Sequence, residues 1–200
     1  IVAYVYDQFR EDIPGDFARR EGILFVGGFA HPPNADAVLW FVREVYPRIR
    51  ALVEAAGQTP PEFYVVGSKV TDEIRALEQQ GNGVVIKGFV SEEELTRLYD
   101  TCRLVAVPLR YGAGVKGKVV EALYNGAAIL TTSIGAEGIP DAEQVMEIQD
   151  EAEAFARAAA ALYGDPEACG RLSRKAQTYV RSHYSMDAAW EVIREDFEEA

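Results

Sequence analysis

A glycine-rich stretch, RYGAGVKGKVVEAL at residues 110–123, carries the clearest chemical signal in the sequence. It follows a short apolar run and leads into a helical pattern, so it predicts a turn between a strand and a helix. Small residues there let backbone N–H groups approach an anion, and the start of a helix adds partial positive charge. From Cys102 to Val120 the chain has no acidic residue and four basic ones: Arg103, Arg110, Lys116 and Lys118. A phosphate-bearing ligand is the natural partner of such a stretch.

Two nucleotide-binding motifs match this stretch incompletely, and a turn that binds nothing also matches it. Gly112, Gly114 and Gly117 spell the G-x-G-x-x-G of dinucleotide-binding proteins, but the next strand ends in TTS at 131–133, without an acidic residue for the ribose. The letters GAGVKGK nearly spell a P-loop, but Val119 stands where a hydroxyl should hold magnesium. A nicotinamide oxidoreductase, an NTPase and a structural turn therefore stay open on the motif alone.

The elements around the turn alternate between short apolar runs and helical periodicity. Strands are predicted at 23–27, 63–67, 84–89, 104–109, 127–132 and 145–149, and helices at 35–56, 71–81, 91–102 and 115–126. Asn34 is expected to cap the first helix, and Ser91 with Glu94 forms a capping-box pattern. This alternation predicts an α/β fold: a Rossmann-like parallel sheet with helices on both faces. The loop at 110–117 should then lie at the carboxyl end of the strands, where such sheets bind ligands.

The two ends of the chain differ from the alternating middle. Residues 7–22 are polar and contain a Pro-Gly pair, which predicts a linker, so residues 1–22 form an extension and the domain runs over 23–200. Three consecutive C-terminal helices are predicted, at 151–163, 166–182 and 185–199. Asp165 and Ser185 are suitable caps for the second and third. The chain begins without a methionine, which suggests a fragment of a longer protein.

The overall composition excludes several classes of function. Twenty basic and 32 acidic residues among 200 give a net charge of −12, which argues against nucleic acid or an anionic membrane as a partner. No apolar run approaches the roughly 20 residues of a transmembrane helix. The chain has two cysteines and two histidines, too few for a disulfide framework or a zinc site. A reduced, cytoplasmic location is therefore expected, with no metal.

Residues 108–139, PLRYGAGVKGKVVEALYNGAAILTTSIGAEGI, resemble the donor-binding segment of family 4 (group 1) retaining glycosyltransferases of the two-domain GT-B type. In that family a glycine-rich loop precedes a helix with a glutamate, which matches Glu121 here. Residues 23–49 and 84–109 are similar to other parts of the same C-terminal domain, so the resemblance covers roughly residues 20–198. It implies one half of a GT-B fold, a donor-binding domain with appended C-terminal helices, and a missing N-terminal acceptor domain.

The resemblance also implies a site for a nucleoside diphosphate sugar. Glu121 would bind the ribose hydroxyls, the glycine-rich loop with Lys116 or Lys118 would hold the diphosphate, and the backbone of 87–90 would line the base. The turn at Gly27 would face the phosphates or the sugar. The substrate-binding residues implied are Gly27, Gly28, Lys87, Gly88, Phe89, Val90, Gly112, Ala113, Gly114, Val115, Lys116, Gly117, Lys118 and Glu121. Catalytic residues stay unassigned, and no cofactor is implied.

Each of these residues also has a purely structural interpretation. Glu121 is placed to pair with Lys118 one helical turn earlier, and both lysines fit a solvated helix start. Gly88 and Phe89 fit the end of a strand, and the glycines at 27–28 fit a simple turn.

The sequence departs from the family pattern at three positions. Ala113 stands where the family commonly has a first glutamate, and Gly28 and Pro33 stand near the positions of a diphosphate-clamping arginine and lysine. One hypothesis is that Lys116 and Lys118 supply the positive charge instead.

The implied function is transfer of a hexose from a nucleoside diphosphate sugar to a saccharide or lipid-linked acceptor, as in polysaccharide biosynthesis. The isolated fragment would be inactive without its acceptor domain, through which it would also touch the inner membrane face. The stripe Trp190, Ile193 and Phe197 on the last helix would pack toward that domain. The alternatives are a non-catalytic nucleotide-binding or regulatory module, which Ala113 favours, and an NAD-dependent oxidoreductase.

Overall fold

The computed structural model describes the backbone of residues 4–198 and the side chains as far as Arg194. Its centre is a six-stranded sheet in the order β3-β2-β1-β4-β5-β6. The strands are β1 (Ile23–Val26), β2 (Phe63–Val66), β3 (Val84–Gly88), β4 (Leu104–Val107), β5 (Ile129–Thr131) and β6 (Glu147–Ile148). All five pairings are parallel, and Ile23 lies opposite both Phe63 and Leu104. The predicted parallel sheet is therefore confirmed.

The helices follow the predicted order with shorter bounds. They are α1 (Pro32–Trp40), α2 (Tyr46–Ala55), α3 (Asp72–Arg75), α4 (Glu92–Thr101), α5 (Gly117–Tyr124), α6 (Ser133–Ala136), α7 (Ala152–Gly164), α8 (Pro166–His183) and α9 (Met186–Glu198). Right-handed crossovers in this strand order place α1–α3 on one face of the sheet and α4 and α5 on the other. On the first face α2 packs against α7, and on the second α5 packs against α8. The first two predicted C-terminal helices thus add to the cover of the sheet, whereas α9 packs against α8.

The first long helix is interrupted by a π-helical turn over Phe41–Val45, which joins α1 to α2. Pro47 lies in the first turn of α2 and has no N–H to donate. The regular ladder of backbone hydrogen bonds cannot continue through this residue, and a π-turn is one way to absorb the missing bond. The predicted helix at 35–56 is therefore helical as far as Ala55 but changes its winding in the middle.

The prediction that Asn34 caps the first helix is wrong. The helix begins at Pro32, because two successive prolines have a backbone angle suited to the first turn and no N–H that needs a partner. Asn34 therefore lies inside the first turn, only 5% exposed. Its side chain donates to the carbonyl of Gly28 at 2.7 Å and accepts from Lys118.

Most of the other predicted caps are confirmed. Asp165 accepts from the N–H of Ala168 at 2.9 Å, and Ser185 accepts from that of Ala188 at 3.1 Å. Ser91 accepts from the N–H of Glu94 at 3.2 Å. The Glu94 carboxylate pairs instead with Arg97 and Lys87, so only one half of that capping box forms. The helix predicted at 71–81 is regular only over α3.

The segment that was predicted to be a linker lies along the domain. Phe17 is buried in the core, and Arg20 is buried with its side chain donating to the carbonyl of Tyr99 at 2.9 Å. The N–H of Tyr6 donates to the carbonyl of Tyr184 at 2.7 Å, so residues near both ends of the described chain meet. The domain boundary at residue 22 stays a prediction.

Two features of the described residues bear on function without belonging to the site. No helix within 4–198 combines the length and the apolar character needed to cross a membrane.

Cys102 and Cys169 are both buried free thiols. Burial raises the pKa of Cys102 to about 12 and that of Cys169 to about 11.

Candidate functional site

The sheet has a point at its centre where the chain reverses direction. From β1 it proceeds outward to β2 and β3, and from β4 it proceeds the opposite way to β5 and β6. The loops that follow β1 and β4 therefore diverge and leave a crevice at the carboxyl edge, where open α/β sheets bind their ligands. The turn at 27–31 borders this crevice on one side and the glycine-rich loop at 108–116 borders it on the other. The predicted position of the loop is confirmed.

The glycine-rich loop has a backbone that requires glycine. Gly112 and Gly114 have φ angles of 130° and 75°, which residues with a side chain rarely adopt. The loop leads directly into α5 at Gly117, and Lys116 at the N-cap position makes no side-chain cap bond. Ala113 is exposed beside them. The start of α5 is thus a helix terminus without a side-chain cap at the edge of the crevice.

Lys118 reaches from α5 across the crevice to the turn after β1. Its Nζ donates to Oδ1 of Asn34 and lies 4.7 Å from the centre of the Phe25 ring. A Cβ placed on Gly27 would lie 2.6 Å from this Nζ, so the glycine leaves the space that the ammonium group fills. Burial, with a smaller contribution from Lys116, lowers the pKa of Lys118 to about 8. The solvated helix start considered for this residue is therefore wrong.

The other basic residues near the loop have partners, so the local basic patch expected from the sequence is largely neutralised. Arg110 forms an ion pair with Asp36 of α1. Lys116 pairs with Glu137 at 2.9 Å, and its side chain is mostly buried. Arg103 lies at the other end of β4 and donates to backbone carbonyls, including that of Tyr163 at 2.6 Å.

Glu121 faces a groove between α4 and α5. The groove is a cavity of about 780 Å³, and its walls include Tyr6, Thr96, Tyr99, Glu121 and Tyr124. Burial raises the pKa of Glu121. Among the residues whose side chains are described, its carboxylate forms no ion pair, because Lys118 points to Asn34 instead. The pairing of Glu121 with Lys118 that the sequence allowed is absent.

The residues at 87–90 lie at the end of β3, two strands away from β1. Lys87 pairs with Glu94 of α4 at 3.2 Å. Gly88 has a φ of 69° and accepts through its carbonyl from the N–H of Gly67 at 2.9 Å. Phe89 follows with its side chain 82% exposed, and Val90 packs partly against the core. The structure thus brings this turn to the same edge as the crevice but not into contact with Lys118.

The carboxyl ends of β1 and β2 approach each other closely at two glycines. A Cβ on Gly67 would collide with the carbonyl oxygen of Gly27, and one on Gly28 would lie 3.2 Å from Oγ of Ser68. These glycines are therefore more than turn residues, since they allow the backbone of one strand to pass directly beside the next.

Sequence reasoning missed Asn34 and Tyr99 as site residues. The two prolines before Asn34 were a usable signal, because they place the helix start earlier and the asparagine inside it. Tyr99 had no such signal, since its position depends on how α4 packs beside α5.

A doubly wound parallel sheet with a crevice at its carboxyl edge defines a Rossmann-like α/β fold. The family model described as glycosyl transferases group 1 matches residues 20–165. The chain belongs to this family. An uncharacterized 44.6 kDa protein in the cps region of Klebsiella pneumoniae is 29% identical over 122 residues, which cover 58% of this chain and 30% of the relative.

Solved structures also share the fold. TarM superposes with a TM-score of 0.68 at 13% identity, covering 96% of this chain and 36% of TarM. Anabaena HepE in complex with UDP superposes with a TM-score of 0.65 at 16% identity, covering 92% of this chain and 50% of HepE. The C-terminal domain of LpcC, a glycosyl transferase group 1 family protein from Francisella tularensis, superposes at 0.62 with 15% identity, covering 92% and 97%. The chain therefore spans half or less of the first two, and these identities show the fold alone.

Proposed function

We propose that this chain is the donor-binding domain of a retaining glycosyltransferase, which moves a hexose from a nucleoside diphosphate sugar to a saccharide or lipid-linked acceptor. The observation that carries the proposal is the position of Lys118, whose ammonium group lies over the turn after β1 and beside the start of α5. The UDP bound by HepE supports the same class of ligand.

The diphosphate would lie between the start of α5 and the turn after β1. Gly28 and Pro33, near the usual positions of clamping charges, have no charge to offer. The Lys118 side chain reaches the same turn from the opposite side of the crevice, which supports the hypothesis that the positive charge has moved to α5. Lys116 contributes less, because Glu137 already neutralises it. Charge that develops on the leaving diphosphate would be stabilised by Lys118 and the helix terminus, a preorganised electrostatic effect.

The ribose would bind at Glu121. A partly buried carboxylate without a cation needs neutral hydrogen-bond donors, and ribose hydroxyls are such donors. The base would lie toward 87–90, where Gly88 exposes its backbone and Phe89 presents an exposed ring.

The acceptor would be bound by a second domain that this chain does not contain. The chain covers half or less of TarM and HepE, and it covers nearly all of the isolated C-terminal domain of LpcC. On α9, Trp190 and Ile193 are exposed on one stripe, as expected for a face toward another domain; the side chain of Phe197 lies outside the described residues. Alone, the chain would bind donor without transferring sugar, and the whole enzyme would work in the cytoplasm at the inner membrane face.

The second candidate is a nucleotide-binding module without catalysis. The exposed Ala113 favours it, because that position has no carboxylate to hold the donor sugar. An NAD-dependent oxidoreductase has less support, since the G-x-G-x-x-G follows β4 rather than the first strand of the sheet.

We expect UDP or a similar nucleoside diphosphate to bind more tightly than the corresponding monophosphate. The second phosphate brings further charge to Lys118 and the start of α5, so affinity should also fall as salt rises. Isothermal titration with UDP, UMP, GDP, UDP-glucose and NAD at two salt concentrations measures both effects. Preferential binding of NAD would support the oxidoreductase, and no binding of any diphosphate would contradict the proposal.

The substitution Glu121→Gln is expected to weaken the preference for a ribonucleotide over its 2′,3′-dideoxy analogue. Glutamine keeps the shape and one acceptor oxygen but loses the charge that strengthens bonds from hydroxyls. The ratio of the two affinities is measured by titration, with the melting temperature of the variant as a check on folding. A lower melting temperature with an unchanged ratio would show that Glu121 has a structural role.

A further inference from the structure

A buried hydroxyl without a partner lies in the groove between α4 and α5. Tyr99 of α4 is 1% exposed, and its Oη has no hydrogen-bond partner among the described residues. Tyr99 and Glu121 are both among the residues that line one cavity. Burying a hydroxyl without a partner costs stability, so the groove keeps a polar group that the described part of the chain does not use.

Three other buried tyrosines have partners for their hydroxyls. Tyr46 donates to the carbonyl of Pro61 at 2.6 Å, and Tyr179 donates to that of Pro140 at 2.7 Å. The hydroxyl of Tyr163 accepts from the N–H of Gly22 at 3.5 Å. Tyr99 therefore differs from these three tyrosines, whose hydroxyls are bonded within the fold.

The charged groups around the groove leave Glu121 without compensation. Arg10, the cation in the groove wall, already donates hydrogen bonds to both carboxylate oxygens of Asp100 and to the side-chain amide oxygen of Asn125, at 2.9–3.1 Å. Tyr6 also lines the groove, and its ring stacks on that of Tyr124 with 4.2 Å between centres. The groove thus contains an acceptor that lacks donors and a donor that lacks acceptors.

A ligand hydroxyl placed between these two groups would be able to satisfy both. A carboxylate such as that of Glu121 accepts when it is ionised, the Tyr99 hydroxyl is able to donate, and a sugar hydroxyl does both. The pKa of Tyr99 is raised well above its usual value by burial and by the nearby Glu121, so its proton stays in place to be donated.

We propose that Tyr99 is a specificity-determining residue of the groove, whose hydroxyl donates to a ligand hydroxyl that in turn donates to Glu121. This inference rests on the proposed function, in which the ligand is a nucleoside diphosphate sugar and the hydroxyl belongs to its ribose. The groove then selects ribose over deoxyribose through two side chains on facing helices.

The substitution Tyr99→Phe tests the inference, with Tyr46→Phe as its matched control. Removing an unpartnered hydroxyl should leave the melting temperature of the free protein unchanged or raise it. Removing the hydroxyl of Tyr46, which is bonded to backbone carbonyls, should lower it. We expect the Tyr99 variant to bind UDP roughly five- to tenfold more weakly, and to lose most of the preference for UDP over 2′-deoxy- or 3′-deoxy-UDP.

The outcomes separate this inference from the proposed function. If neither UDP nor another nucleoside diphosphate binds the unmodified chain, the proposed function itself is wrong. If UDP binds both proteins equally and with the same ribose preference, the role of Tyr99 is overturned while donor binding stands. A fall in melting temperature like that of the Tyr46 variant would show that Tyr99 has a partner within the protein, which also overturns it. Should the Tyr99 variant not fold, the unmodified chain alone still tests the inference. Equal binding of UDP and both deoxy analogues to it would overturn the role of Tyr99.

Discussion

Replacing Lys118 by alanine is expected to weaken UDP binding by about 1–3 kcal/mol, the scale of a charge-assisted hydrogen bond. This corresponds to a roughly 5- to 150-fold loss of affinity. The reason is geometric, because Lys118 is the lysine whose ammonium group reaches the turn after β1. Isothermal titration measures the change. Lys175→Ala is the matched control, because it removes the same charge from an exposed position on α8, and it should leave the affinity nearly unchanged.

The titration of Lys118 adds a pH dependence to this result. Its pKa is lowered to about 8, so the amine loses its proton as the pH rises from 7 to 9 and UDP affinity should fall over that interval. Lys118→Ala should remove most of this dependence. An unchanged pH profile in the variant would mean that another group controls it.

Stability should respond to the same group with the opposite sign. The pKa of Lys118 is about 8 in the folded protein and 10.5 as its ordinary value, so between these values the unfolded chain binds more protons. The free energy of unfolding therefore rises with pH in this window. Denaturant melts of the unmodified chain and of Lys118→Ala at pH 8, 9 and 10 measure this effect. The free energy of unfolding of the unmodified chain minus that of the variant should rise with pH.

The second large effect is expected at Gly67. A Cβ at this position would collide with the carbonyl oxygen of Gly27. Because this oxygen belongs to the backbone and cannot swing away as a flexible side chain can, the ends of β1 and β2 must separate. We expect Gly67→Ala to cost about 3 kcal/mol, which lowers the melting temperature by roughly 6–12 °C for a chain of this size. UDP affinity should fall as well, since the displaced turn carries the contact with Lys118.

The control for this substitution is Gly15→Ala. No heavy atom lies within 4 Å of a Cβ built on Gly15, so its melting temperature should stay within about 1 °C of the unmodified chain. If Gly67→Ala melts like this control, the two strand ends have room to separate without cost, and the close approach is not a constraint.

The parallel sheet could be predicted because its signals are local. A strand buried on both faces reads as a continuous apolar run, and ILFVG at 23–27 and FYVVG at 63–67 both do so and both end at the carboxyl edge of the sheet. The caps at Asp165 and Ser185 depend on residues three positions away, so they could be predicted too.

The site could be predicted only in part, because its charges are paired through space. The stretch from 102 to 120 contains no acid, yet Asp36 reaches Arg110 from α1 and Glu137 reaches Lys116 from beyond α6. Counting charges along the sequence treats the four basic residues of this stretch alike. The fold pairs Arg110 and Lys116 with carboxylates and leaves Lys118 over the crevice. Asn34 shows the same limit, since its contact with Lys118 joins residues 84 positions apart.

The two buried thiols make the chain a suitable background for chemical labelling. Thiol reagents attack the thiolate, and Cys102 and Cys169 are both out of contact with solvent and hold their protons far above neutral pH. A fluorophore or spin label applied to the folded protein at pH 7 would therefore attach to a cysteine introduced by Ala113→Cys in the exposed loop, while the native pair stays unmodified. Movement of the glycine-rich loop upon addition of a ligand then becomes measurable from one probe, without first removing either natural cysteine from the core.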